Sequence, residues 1–322
     1  MGMAIYLGHT SALEYWRGND WPPPDASRSV RIDRLGASCS VERKALAFSP
    51  PLSELTLPLE ILVNGSTRRA ATALEHPHYW KWGGLFLPLE NSVFVASPAD
   101  TVLQLAHDFD LPELLLLSYE LCGTYRLPVR GEEPAYGRPA CMTPESLRRA
   151  LYGREGMHGI KKIRLVLRYL LPKSGSPMET VLVLVLTLPP RLGGYGLPTP
   201  VLNVRCYIDE SGMTYYIPDL WWRDRNVVLE YFGGRDHTEL HDMVLDNLRR
   251  NDLLDSGQQV LVAVYEHLAN GASMDHLAAQ LSHQLGLGKI EMSREARERR
   301  RELRTRLLRW RGGVEGRNRE GA

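Results

Sequence analysis

The sequence predicts an α/β protein in two parts. Short apolar runs of strand length alternate with helix-patterned segments along the chain. A stretch rich in Gly, Pro and charge at 128–144 interrupts that alternation and places a boundary between Met142 and Thr143. The composition is that of a folded protein: 322 residues, 43% hydrophobic and 24% charged, enough chain to bury a sizeable core and too apolar for wholesale disorder.

In the first part, 1–142, residues 4–7 are a short apolar run. Ser11 and Glu14 have capping-box spacing and open a helix through Trp16. Breaks follow at 19–24, where three consecutive prolines stop any helix, and at 50–58. Residues 59–63 read as a buried strand ended by the turn pair Asn64-Gly65. Two further strands, 85–89 and 92–96, flank a turn at Glu90-Asn91. Ser97-Pro98 then suits a helix start, with Leu103, Leu105, Ala106 and Phe109 on one side. A leucine-rich helix covers 112–121 and ends at Gly123-Thr124. This part is expected to be a mixed α/β region, accessory to the second.

In the second part, 143–290, Thr143-Pro144-Glu145-Ser146 opens a helix and 159–171 continues as a basic amphipathic one. Residues 178–188 are ambiguous. The valine-rich run has strand propensity, whereas the preceding Ser176-Pro177 and Glu179 signal a helix start. Residues 188–200, with four prolines and three glycines, form a loop. Strands are expected at 203–208, 214–217 and 226–231, with a hairpin turn at 209–212, then a helix at 240–254 and a final strand at 259–264. Helices at 277–285 and 293–310 close the chain; the last lies in an Arg-rich tail, 291–322.

Several classes are excluded or disfavoured. The longest aliphatic run, 181–186, is far short of the roughly 20 residues of a spanning helix. The N-terminus lacks a basic segment followed by an apolar stretch, so secretion is not indicated. Cys39, Cys122, Cys141 and Cys206 lie far apart without a CxxC, which argues against a zinc ribbon and for a reduced, cytoplasmic protein. The formal net charge of +1 conceals an asymmetry: residues 291–322 hold 11 Arg and 6 Glu, a net of +5, over a body of −4. This tail reads either as a solvated helix laced with Glu/Arg pairs or as a phosphate-contacting arm.

The chemistry is concentrated in 215–264. Asp219 follows Pro218 at the end of one expected strand, and Glu230 closes the next. On adjacent strands of a hairpin, their carboxylates converge as hard ligands for Mg²⁺, which activates water and stabilises a leaving oxygen in phosphodiester cleavage. Eleven-residue spacing of two carboxylates is weak by itself. Downstream come His237, Asp246, Arg249-Arg250-Asn251, Gly257 and an apolar strand.

This order resembles the PD-(D/E)XK superfamily. More closely, it is similar to bacterial endonuclease-domain proteins related to very-short-patch repair endonucleases and to C-terminal domains of abortive-infection antitoxin-like proteins. The matching residues are Pro218-Asp219, Glu230, Gly233, His237, Asp246, Arg249 and Gly257, with Ser176-Pro177-Met178-Glu179 and the Gly196–Pro200 loop upstream. The similarity covers about 174–266, and loosely 59–126. It implies a restriction-endonuclease-like C-terminal core with a mixed sheet, and a helix at 178–188. It implies Asp219 and Glu230 as ligands of Mg²⁺ (or Mn²⁺), and Glu179 as third ligand or water-orienter. His237 is then general base or transition-state stabiliser. Asp246 and Arg249 organise a helix; Arg249, Arg250 and Trp222 are the candidates for nucleic-acid contact. The implied partner is DNA, with a possible homodimer and no membrane, in a phage-defence or toxin–antitoxin setting. One departure stands out: Phe232 occupies the position where the superfamily has Lys and this branch Asp. The alternative reading is therefore a degenerate nuclease that binds DNA as a regulator or antitoxin-like module.

Other features have plainer readings. Trp221-Trp222-Arg223 either stacks bases or packs on a hairpin edge. His76-Pro77-His78 beside Tyr79-Trp80-Lys81-Trp82 is expected to be a packed aromatic loop, because no third ligand for zinc stands nearby in sequence. Gly193-Gly194-Tyr195-Gly196 is not a phosphate loop, since the following prolines forbid the helix that would bind the anion. Lys161, Lys162 and Arg164 read as a solvated helix face, and Arg68-Arg69 as loop residues.

Overall fold

The computed structural model describes residues 4–20, 28–36, 50–64, 70–129, 133–207, 213–233 and 257–309. The chain divides into two compact units between Leu170 and Leu171. That division falls later than the Met142–Thr143 position expected from composition. The reason is packing: the helices after the Gly/Pro-rich stretch dock on helices of the first unit.

In the first unit, β1 (Ile5–Leu7) runs directly into α1 (His9–Gly18). The strands β2 (Val30–Ile32), β3 (Leu59–Val63), β4 (Glu75–Tyr79), β5 (Gly84–Pro88) and β6 (Val93–Ala96) join β1 in a mixed sheet of order β2-β5-β6-β1-β3-β4. A short helix, α2 (Pro50–Glu54), precedes β3. The pairs β1/β6 and β3/β4 are parallel, and the others antiparallel. Apolar residues at the centre of the sheet, Leu7, Ile61, Leu62, Phe86 and Val95, are fully buried. The expected capping box at Ser11 does not form. The helix starts at His9, and Ser11 and Glu14 instead accept hydrogen bonds from the backbone of Glu60 and Thr56. These two residues were claimed by tertiary partners rather than by their own helix.

α3 (Pro98–Leu105) is capped by Ser97, and α4 (Leu111–Cys122) by an Asp110/Glu113 capping box. Arg17 of α1 makes two 2.8 Å hydrogen bonds to the Glu120 carboxylate, with both side chains fully buried. A small pair, β7 (Tyr125–Arg126) and β8 (Ala135–Tyr136), leads into α5 (Pro144–Ala150) and α6 (Ile160–Tyr169). On α6 only Ile160, Ile163 and Val166 are buried, so Lys161 and Arg164 lie on its exposed face as expected.

The second unit opens with α7 (Pro177–Thr187), which settles the ambiguous run as a helix. Its residues from Glu179 to Leu186 are all buried. A helix apolar on every side belongs inside a core, and there burial outweighs valine's strand propensity. A loop then leads to β9 (Val201–Leu202), followed by a two-residue pair, β10 (Cys206–Tyr207) with β11 (Tyr215–Tyr216). β12 (Leu220–Trp222), β13 (Val227–Phe232) and β14 (Gln259–Val264) complete a mixed sheet of order β14-β13-β12-β9. β13 and β14 are parallel; the other pairs are antiparallel. α8 (Tyr265–Ala269), α9 (Gly271–Gln284) and α10 (Arg294–Arg309) follow. The helix expected at 240–254 lies outside the described residues, as does the turn at 209–212. Among the described residues, no helix is long and apolar enough to cross a membrane.

The Arg-rich segment is part of this unit and not a loose arm over 294–309. Leu303 and Leu307 are buried, as are Arg300 and Arg304. The Arg300 guanidinium lies 4.2 Å from the Tyr195 ring centre, and Nη1 is 3.6 Å from Asp275 Oδ1. The opposite face carries the expected Glu/Arg pairing, with Arg294 Nε 3.0 Å from Glu298 Oε1.

Candidate metal centre

Three elements of the second unit bring three acidic residues towards one another. Glu179 stands in the first turn of α7, where Ser176 caps the helix by accepting from the Glu179 N–H at 3.1 Å. Asp219 immediately precedes β12, and Glu230 lies within β13. Leu220 pairs with Leu229 in the antiparallel ladder, which sets Asp219 and Glu230 next to each other at its end. The sequence reading put Asp219 at the end of a strand. It instead leads one: the strand expected at 214–217 is only the short β11, and a separate strand, β12, begins at Leu220.

Two of the carboxylates are held by hydrogen bonds. Glu179 Oε2 accepts from the Gly175 N–H and from Asn203 Nδ2, both at 2.8 Å. Asn203 is itself held in left-handed backbone (φ 48°), a conformation asparagine tolerates, and its side chain also donates to the Lys173 carbonyl. Asp219 Oδ2 accepts from the Tyr231 N–H at 2.7 Å. Burial raises the Asp219 carboxyl well above the ordinary aspartate range. The neighbouring Glu179 and Glu230 charges raise it further, against the lowering effect of the Tyr231 N–H. Burial also raises Glu179, opposed by its hydrogen bonds to Asn203, Gly175 and Ser176. Mutual repulsion of buried carboxylates marks a place that a cation would stabilise. The donor set, all carboxylate oxygen, suits Mg²⁺ or Mn²⁺.

Of the remaining predicted positions, Trp222 is among the described residues. Trp222 is only 4% exposed, and its indole N–H donates to the Pro198 carbonyl at 2.7 Å. The ring is a core element rather than a platform for a base. Its neighbour Trp221 is partly exposed, with the Arg223 guanidinium 4.8 Å from its ring centre. Phe232 ends β13 at 36% exposure, and its phenyl ring offers no ligand or charge to the acidic group. His237, Asp246, Arg249 and Arg250 lie outside the described residues.

The first unit supplies the third potential ligand that the sequence around His76 and His78 lacks. His76-Pro77-His78 is not a loop but the edge strand β4, where a proline costs no ladder hydrogen bond. Parallel pairing sets Glu60 of β3 opposite His76. Among the described residues, Glu60, His76 and His78 are the group that brings three potential ligand atoms within 4.8 Å of one another. The missed signal was the polar Glu60 inside an otherwise apolar strand. Its partner is fixed only by strand pairing.

Compared with family models, with curated proteins and with solved structures, the chain matches none.

Proposed function

We propose that the second unit is a metal-dependent nuclease domain with a restriction-endonuclease-like core, hydrolysing phosphodiester bonds in DNA. The observation that carries this reading is the placement of Glu179, Asp219 and Glu230 on a helix, at a strand start and in a strand, near enough that the Glu179 and Glu230 charges add to the burial that raises Asp219. The order of elements supports it: a buried helix, then β9, β12 and β13 as antiparallel neighbours, then β14 returning parallel to β13.

A bound Mg²⁺ or Mn²⁺ would supply water activation and charge neutralisation at the scissile phosphate. The chain's own residues do the positioning. The Tyr231 N–H holds one Asp219 oxygen, leaving the other for the ion. Asn203 and the Gly175 N–H orient Glu179 in the same way. Glu230 extends from the central strand, whose backbone is paired on both sides and therefore rigid. His237 is the proposed general base, and Arg250 the proposed phosphate contact.

One observation favours a second reading. Phe232 stands two residues after Glu230, where catalysis in this superfamily employs a polar side chain. In that reading the core retains the fold and binds DNA without cutting it. Supercoiled-plasmid cleavage in Mg²⁺ and in Mn²⁺ tests both, comparing wild type with Asp219→Ala plus Glu230→Ala and running the same samples on a salt-titrated binding gel. Nicking that vanishes in the double variant is the expected result. Salt-sensitive binding without variant-sensitive nicking supports the second reading. Absence of both overturns nucleic acid as the partner.

A further inference from the structure

We propose that Glu60, His76 and His78 of the first unit form a binding site for a first-row divalent transition-metal ion of the Zn²⁺ type. The residue types are right for such an ion: two imidazoles and one carboxylate, the donor set of zinc sites that keep an open position. Their placement follows from the sheet. His76 and His78 are two apart on β4 and so share a face, and parallel register sets Glu60 opposite His76 on that same face.

The distances fit. His76 Nδ1 lies 3.2 Å from Glu60 Oε2, and His78 Nε2 is in direct contact with that same oxygen. Metal–ligand bonds of about 2.0–2.1 Å in a tetrahedron put ligand atoms about 3.3 Å apart, close to the His76–Glu60 separation. An ion enters by opening the Glu60–His78 contact. His76 is half exposed, with a side-chain exposure of 50%, which supplies the entry path.

The surroundings hold the ligands in place. The His9 ring stacks flat on His78, with centres 3.6 Å apart and planes 16° apart. Two stacked rings direct their lone pairs in parallel planes, so His9 orients His78 rather than sharing its ion. His9 is set there by a tight β1–α1 turn. Its N–H donates to Gln104 Oε1 at 2.9 Å, and a Cβ at the preceding Gly8 would meet Leu62 Cδ2 at 2.5 Å. His78 also lines a cleft of about 490 Å³ shared with His9, His107, Asp108 and His158. Three protein ligands leave the ion a position for water or for an anionic oxygen of a substrate at the edge of that cleft.

This site is independent of the carboxylates of the second unit, and Co²⁺ titration of the full-length protein tests it. The expected result is one equivalent of Co²⁺ giving visible absorption bands of a low-coordinate N/O site, displaced by Zn²⁺. His76→Ala and Glu60→Gln should each weaken binding by at least about a hundredfold, the upper range for losing a mere supporting contact. His76 is exposed enough for its variant to fold, as circular dichroism would verify. With Mg²⁺ kept in excess to fill the carboxylates of the second unit, Asp219→Asn should leave the Co²⁺ absorption bands unchanged. No stoichiometric binding would overturn the proposal. So would binding that survives both variants, or that is lost instead with His107→Ala plus His158→Ala.

Discussion

Tyr195 shows how one side chain ties a segment to its unit. Its hydroxyl donates to Asp275 Oδ1 at 2.6 Å, and Arg300 covers its ring. Burial raises the phenol above its ordinary value, and the bond to Asp275 adds to this, against the opposing charges of Arg300 and Arg304. A raised folded-state value means that the stabilisation is fully present below the unfolded value of about 10 and is lost as pH rises through the folded one. The stability difference between wild type and Tyr195→Phe, measured by urea unfolding, should therefore be constant up to about pH 10 and shrink above it. A difference that grows with alkaline pH would contradict this assignment. At the same scale, the spacing of Asp219 and Glu230 is a weak signal, and the order of residues downstream is what singles the pair out. Glu60 was not legible, because a glutamate in a strand has no meaning until its neighbour across the sheet is known.

At the scale of elements, local signals and tertiary demands disagree in instructive places. The Ser176 cap and Glu179 were true helix signals in a run whose valines argued for a strand. The Asp110/Glu113 box formed, whereas the Ser11/Glu14 box was diverted to neighbouring backbone. The Arg-rich α10 is the strongest case. Its charge suggested a solvated helix or an arm, yet Leu303 and Leu307 are buried with Arg300 and Arg304 beside them. The Gly193 turn also approaches it closely: a Cβ there would lie 2.9 Å from that of Leu303. Leu303→Ala should destabilise the second unit by about 2–5 kcal/mol, the cost of emptying a buried leucine site. Exposed Arg294→Ala should cost under about 1 kcal/mol. Chemical denaturation followed by tryptophan fluorescence reads both. Equal small effects would restore the picture of a free arm.

For the whole molecule, the division between Leu170 and Leu171 gives each unit its own sheet and its own set of fully buried apolar residues. Each should then fold by itself. A fragment spanning 171–309 is expected to show a single cooperative thermal transition in circular dichroism. A featureless melt would mean that the second unit depends on the first. The compositional and structural divisions differ for a simple reason. Residues 128–144 have linker composition, but they connect helices that pack on one another, and composition does not record what a helix packs against.

By itself the sequence determined the α/β class, most of the strands and helices, and the absence of a long apolar span, and it offered Asp219 and Glu230 only as a weakly marked pair. These depend on periodicity, capping residues and turn residues, all of which act over a few neighbours in the chain. Only the tertiary structure decided that 76–78 is an edge strand, that Glu60 meets two histidines there, that Trp222 is core, and that an arginine-rich helix is half buried. Each of these is a contact between residues distant in sequence. Such contacts are selected by the total free energy of packing and strand register, which no local window of residues contains.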